Sequence, residues 1–166
     1  PGCTVSFGGS MTLEDTGMLT ALRHDPGITL LDRAQAKTPE ETKKIYHDAL
    51  SSDFYFMSTN AITKDGELVN IDGTGNRVAA LIYGPEHVIV MAGMNKVAAN
   101  VDEALSRVHG TATPMNCKRL GKNTPCSATG VCSDCLSPDC ICNQVVITRR
   151  SGIEGRIKVI LIGEEL

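Results

Sequence analysis

Short apolar runs alternate with helix-patterned segments along nearly the whole chain, and this alternation restricts the fold more than any other feature. Strand-like runs fall at Thr4–Phe7, Ile28–Leu31, Phe54–Ser58, His87–Met91, Gln144–Thr148 and Arg156–Ile162. Helix-like segments lie at about 12–23, 38–50, 77–83, 101–108 and 113–120. Parallel strands need a long crossover, usually a helix. The pattern therefore reads as an α/β chain with three layers, α/β/α, around a mainly parallel sheet. One pair departs from it. Ala61–Thr63 and Glu67–Ile71 flank Lys64-Asp65-Gly66, and Asp-Gly between strand-like runs marks a hairpin. The sheet is expected to be mixed for that reason.

Helix boundaries are signalled locally. Thr38-Pro39-Glu40-Glu41 supplies an N-cap, a first-turn proline and first-turn acids. Thr12 with Asp15 resembles a capping box for the first helix. Asn100 precedes Val101, Ala104, Leu105 and Val108, which share one helix face, and Gly110 is expected to close that helix.

Two strand-to-helix junctions are glycine-rich, Gly8-Gly9-Ser10 and Gly73-Thr74-Gly75-Asn76. Such loops expose backbone N–H groups at the positive end of a helix, which suits a phosphate- or carboxylate-bearing small anion. Ser10, Thr12, Thr74 and Asn76 add side-chain donors. Neither loop is a P-loop, and Gly73-x-Gly75 lacks the third glycine of a dinucleotide fingerprint, so no nicotinamide or flavin site is expected. The competing reading is a pair of tight turns. Glu14, Glu67 and Asp72 flank the loops as candidate general base or nucleophile. Helix capping or solvation explains each of them equally well. Asn70, Asn76, Arg77, Asn95 and Lys96 are the stronger candidates for ligand contact.

Composition narrows the function classes. The 166 residues (17.7 kDa) suit one domain. The net charge is −3, from 16 Lys+Arg against 19 Asp+Glu, with no basic stretch for nucleic acid. Trp is absent, and three Tyr with three Phe make a poor stacking platform. No apolar run approaches the roughly 20 residues of a membrane-spanning helix. Pro1-Gly2-Cys3-Thr4-Val5 has neither the basic region nor the apolar stretch of a secretory leader, so a cytoplasmic location is expected.

Seven cysteines are present, and six lie between Cys117 and Cys142. The odd count, the start of the chain and the clustering favour a metal or iron–sulfur site over a disulfide framework. Cys132-x2-Cys135 is the strongest local element, because that spacing can place two sulfurs on one metal. None of His24, His47, His87 and His109 falls in the 122–143 loop, so a mixed Cys/His site is not expected.

Four linked motifs carry a family resemblance. They are Ser6-Phe7-Gly8-Gly9-Ser10-Met11-Thr12-Leu13-Glu14, Ser58-Thr59-Asn60-Ala61-Ile62, the run Gly66 to Arg77, and Val90-Met91-Ala92-Gly93-Met94-Asn95-Lys96. With them the chain resembles the LUD-domain family, the LutC/YkgG-type lactate-utilisation proteins. It is most similar to the subgroup with a C-terminal cysteine-rich loop, here within about 117–143. The resemblance spans essentially the whole chain, as one LUD domain. It implies a further N-terminal helical segment that is missing here.

The resemblance implies a Rossmann-like fold of the NagB/RpiA/CoA-transferase-like superfamily. It also implies a role in oxidising lactate to pyruvate alongside iron–sulfur partner proteins, and it leaves a homodimer open. Cys126, Cys132, Cys135 and Cys142 match the subgroup's four cysteines, as ligands of an iron–sulfur cluster or zinc; Cys140 is outside that set. Asn60 stands where isomerase relatives carry an acid/base Asp. An amide cannot move a proton as a carboxylate does, which weighs against sugar-phosphate isomerase chemistry. A CoA-transferase-like enzyme and a metal-based electron-transfer module are the other readings.

Overall fold

The structure, a computed structural model, describes residues 2–166. In chain order the elements begin β1 (Thr4–Phe7), α1 (Met11–Asp15), α2 (Met18–His24), β2 (Thr29–Leu31), α3 (Pro39–Ala49), β3 (Phe54–Met57), β4 (Ala61–Thr63) and β5 (Leu68–Asp72). They continue with α4 (Asn76–Ile82), β6 (His87–Gly93), β7 (Val97–Ala98), α5 (Val101–Arg107), α6 (Thr113–Arg119), α7 (Pro125–Thr129), β8 (Gln144–Thr148) and β9 (Ile157–Ile162). Two compact units divide these elements. The first is the chain up to Ser58 with Ala79–Asn95 and Ser151–Leu166; the second is Thr59–Val78 with Lys96–Arg150.

The first unit holds a five-stranded sheet in the order β2-β1-β3-β6-β9, parallel throughout. The inner strands β1 and β6 read as continuous apolar runs because both their faces are buried, whereas the edge strands β2 and β9 are exposed or half-buried. Val5, Phe7, Ile89 and Met91 pack with Leu13, Leu19 and Leu22 of α1 and α2. Tyr55, Met57, Val88 and Val90 are at most 2% exposed. The helix expected at 12–23 is two helices, because Gly17 sits at φ +72 between them. Ser10, rather than Thr12, caps the first, its Oγ accepting from Leu13 N at 3.4 Å. Arg156 is buried and donates to the carbonyls of Ala80 (2.8 Å), Leu81 (2.7 Å) and Pro85 (3.0 Å). It thereby satisfies carbonyls that the end of α4 leaves open. Burial pushes its pKa below the ordinary arginine value.

The second unit holds a four-stranded sheet in the order β7-β4-β5-β8. β4 and β5 form the expected hairpin, Ala61 opposite Val69. β8 runs antiparallel to β5, from Leu68 opposite Thr148 to Asp72 opposite Gln144. Ala61, Val69 and Ile71 pack against Ala98, Ala104 and Val108. The α/β class and the parallel sheet therefore stand, but the hairpin does not join that sheet. It builds its own, with β8 as an edge strand that leaves Val145 and Ile147 exposed. That one-sided burial is what an antiparallel edge permits. β7 has no sequence signal at two residues. Gly110 does not end α5. A π turn at Val108–Ala112 carries the chain into α6.

Candidate functional site

The first glycine loop lies in the first unit. Gly8 N–H donates to Phe56 O at 2.9 Å, so the ladder continues into the loop. Thr12 is buried, within 3.5 Å of the Ser58 hydroxyl, and is not presented to solvent. Gly9 is exposed, and a Cβ there would meet Arg33 Nη2 at 2.3 Å. Arg33 is a cation beside this loop that the sequence pattern does not reveal, since two helices and a strand separate the two in sequence. Glu14 is exposed, 4.0 Å from Arg23. Arg23 is drawn mainly to the buried Asp32, at 2.9 Å. Asn95 hydrogen-bonds the backbone of Leu166 through both side-chain atoms (3.1 and 3.3 Å).

The second loop lies in the second unit and is built differently. Asp72 ends β5, and its Oδ1 accepts from Thr74 N (3.1 Å) and Gly75 N (2.7 Å). Its Oδ2 faces Arg77 Nε at 3.4 Å. Arg77 also donates to Asn70 Oδ1 (2.6 Å), Asn60 Oδ1 (3.0 Å) and Ile71 O (2.7 Å). Asn60 Oδ1 accepts from Ile71 N at 2.9 Å, and Asn60 O from Arg107 at 2.6 Å. Burial lowers the pKa of Arg107.

Four residues chosen from the sequence thus form one network: Asn60, Asn70, Asp72 and Arg77. Their role in it is mutual. The guanidinium expected to meet a ligand is held by protein acceptors. One group is left over: Asn70 is fully buried, and its Nδ2 has no partner. Gly73 packs against the backbone of Ile141, 3.2 Å from a would-be Cβ, and Gly75 adopts φ +90. Thr74 is exposed, while Asn76 and Lys96 are half-buried. Glu67 closes the hairpin, its Oε2 accepting from the Thr63 hydroxyl at 2.8 Å. Glu67 and Asp72 thus each have a structural assignment.

The cysteines of the second unit form two overlapping groups, and all are free thiols. Cys117 and Cys126 are buried together near Thr124, whose hydroxyl lies 3.3 Å from Cys126 Sγ. Burial first, then Cys126, raises the Cys117 pKa, against the opposing hydrogen bond with Thr124. Cys142 Sγ lies 2.8 Å from Cys140 Sγ, with Cys132 and Cys135 in electrostatic reach. Burial first, then Cys140, pushes Cys142 up to about 12. Two contacts go beyond the sequence pattern. Cys140, left out of the ligand set, touches Cys142. His109, discounted because it lies outside the loop, places Nδ1 3.5 Å from Cys132 Sγ. The π turn brings it there across 23 residues of sequence, a separation that local spacing cannot reveal.

Thiols suit a soft metal in kind. Among the described residues, no three His, Cys, Asp or Glu groups converge on one ion position. No helix among them is long and apolar enough to cross a membrane.

A parallel α/β sheet, glycine loops at strand–helix junctions and a cysteine-rich loop define the class. The chain belongs to the LUD-domain family, whose model matches residues 1–162. No curated protein matches it. Among solved structures it is similar to a DUF162 family protein from Deinococcus radiodurans, at 12% identity and TM-score 0.41, covering 98% of this chain and 88% of that one. It is also similar to eIF2B delta from Chaetomium thermophilum, at 21% identity and TM-score 0.36, covering 63% of this chain and 45% of that one. Ribose 5-phosphate isomerase from Plasmodium falciparum gives 15% identity and TM-score 0.34, covering 59% of this chain and 46% of that one.

Proposed function

We propose that this LUD domain is the small-anion-binding component of a lactate-to-pyruvate oxidation system, working beside iron–sulfur partner proteins. The observation that carries the reading is the unpartnered amide of Asn70, fully buried beside the Arg77 guanidinium. A buried donor without an acceptor costs about 1–3 kcal/mol. A carboxylate oxygen of lactate or pyruvate supplies that acceptor. Isomerase or acyl-transfer chemistry is the weaker reading, since Asn60 is an amide and Glu67 and Asp72 are committed to turns. The test is titration calorimetry with lactate and with pyruvate on the wild type and on Asn70→Asp. That change removes the donor but keeps an oxygen for Arg77. Binding is expected to be lost with the thermal midpoint preserved. Binding by both proteins alike would sink the assignment.

A second reading is favoured by the thiols around Cys142: the loop holds a metal, as zinc or an iron–sulfur cluster. It is compatible with the first. Its test is metal and acid-labile sulfide analysis of protein purified without oxygen.

A further inference from the structure

We infer that Cys140 and Cys142 form a redox-active dithiol, which a small-molecule disulfide oxidises to an intramolecular disulfide beside the second glycine loop. This chemistry goes beyond anion binding, and it competes with any metal for Cys142.

The two sulfurs are 2.8 Å apart, and Cys142 N–H donates to Cys140 Sγ at 3.4 Å, so the backbone already turns the pair together. Residues two apart in sequence keep their Cα atoms within roughly 7 Å, and a disulfide spans about 4.4–6.8 Å between Cα atoms. Closing the bond therefore asks for side-chain rotation and no rearrangement of the chain. Both thiols are half-buried, within reach of a small oxidant. The other cysteines are placed differently. Cys117 and Cys126 also touch, but they are 1% and 7% exposed, closed to an oxidant. Cys132 is engaged by His109 Nδ1 and by Asp134 N–H, each at 3.5 Å. Cys3 lies in the first unit.

Cys142 packs against the apolar cluster that includes Val69 and Val108, so the incoming disulfide meets Cys140. The Cys140 sulfur attacks one sulfur of the small disulfide, whose S–S bond breaks and releases the first small thiol. The Cys142 sulfur then attacks Cys140 Sγ, and the second small thiol leaves. The protein gives up two electrons and two protons, and the small disulfide takes both to become two thiols. A ring closed over one intervening residue removes little chain entropy, so the bond serves redox chemistry rather than stability. Its position gives it a consequence. Ile141, between the two cysteines, places its Cα 3.2 Å from a Cβ built on Gly73. Asn143 Nδ2 donates to Gly73 O (3.0 Å) and to Cys140 O (3.4 Å). Tying Cys140 to Cys142 thus fixes the segment that holds Gly73-Thr74-Gly75.

The experiment treats protein purified without oxygen with oxidised glutathione, alkylates the remaining thiols and maps the peptides by mass spectrometry. Metal content is measured before and after. The wild type is compared with Cys140→Ser and Cys132→Ser, each checked for folding by circular dichroism. The wild type should form the Cys140–Cys142 disulfide, reversed by dithiothreitol, roughly tenfold or more faster than any other pair, because its sulfurs are already in contact. Cys132→Ser should oxidise as the wild type does. Cys140→Ser should form no intramolecular disulfide at that rate. Oxidation should also slow amide exchange at residues 73–75. A disulfide formed first between any other two cysteines would overturn the pairing. A glutathione adduct that persists on Cys140 would overturn the role of Cys142. Metal retained, with Cys140 and Cys142 both recovered alkylated, would overturn the redox site and leave the metal reading standing. Unchanged exchange in the oxidised protein would overturn the link to the glycine loop alone.

Discussion

The two glycine loops look interchangeable as sequence, yet they are held by opposite means. Gly8-Gly9-Ser10 is an extension of the β1 ladder with one hydroxyl cap and an arginine tip beside it. Gly73-Thr74-Gly75 is clamped from both sides. Asp72 accepts two of its N–H groups, and Asn143 Nδ2 donates to Gly73 O at 3.0 Å. Behind Asp72 stands the Asn60–Asn70–Arg77 network. The first loop is held by the Gly8 ladder bond and the Ser10 cap. The second is preorganised, and its one unmet donor is fixed in place, which is why the ligand assignment falls there.

The largest expected effect tests that clamp. Arg77→Leu removes the donor shared by Asn60 Oδ1, Asn70 Oδ1, Ile71 O and Asp72, and leaves a buried carboxylate without its cation. Breaking a buried charge pair in this way costs about 3–5 kcal/mol. Urea unfolding should show it as a lower midpoint. A loss under 1 kcal/mol would mean that the network is incidental. Arg156→Met is the counterpart in the first unit. Its guanidinium serves three carbonyls and no carboxylate, so no charge is orphaned. A smaller loss, about 2–3 kcal/mol, is expected. If Arg156→Met proves the costlier change, helix-end carbonyls matter more here than the Asp72 pair.

Much of this was legible in the sequence. Apolar runs longer than a half-buried strand needs marked β3 and β6 as central, and Thr38, Asn100 and Asp-Gly fixed local ends by their own hydrogen-bonding chemistry. Asn60, Asn70 and Arg77 were chosen as ligand contacts and Asp72 as a candidate base or nucleophile, none of them as part of a brace. Partner choice among strands was not legible. Nothing local to β8 says that it pairs with β5 rather than lying in the sheet of β9. His109 and Arg33 were missed for the same reason. Each acts on a loop that is distant in sequence, and only a folded chain sets that distance.

The glycines themselves give the finest test of the comparison. Neither Gly9 nor Gly73 has positive φ, so alanine fits the backbone at both, and only the surroundings differ. At Gly73 the new methyl meets Ile141 Cα at 3.2 Å. Backbone cannot swing aside, so segment 141–143 must shift, at about 1–2 kcal/mol. Because Cys142 follows Ile141, cobalt(II) affinity should fall too if the loop binds metal. At Gly9 the methyl meets only the end of the Arg33 guanidinium, which rotates away. Removing a glycine also restricts the unfolded chain, worth about 0.4–1 kcal/mol in favour of folding. Gly9→Ala should therefore leave stability unchanged or slightly raised. Equal losses at the two positions, read as thermal midpoints, would show that the first loop is as rigid as the second and that the contrast drawn between them is wrong.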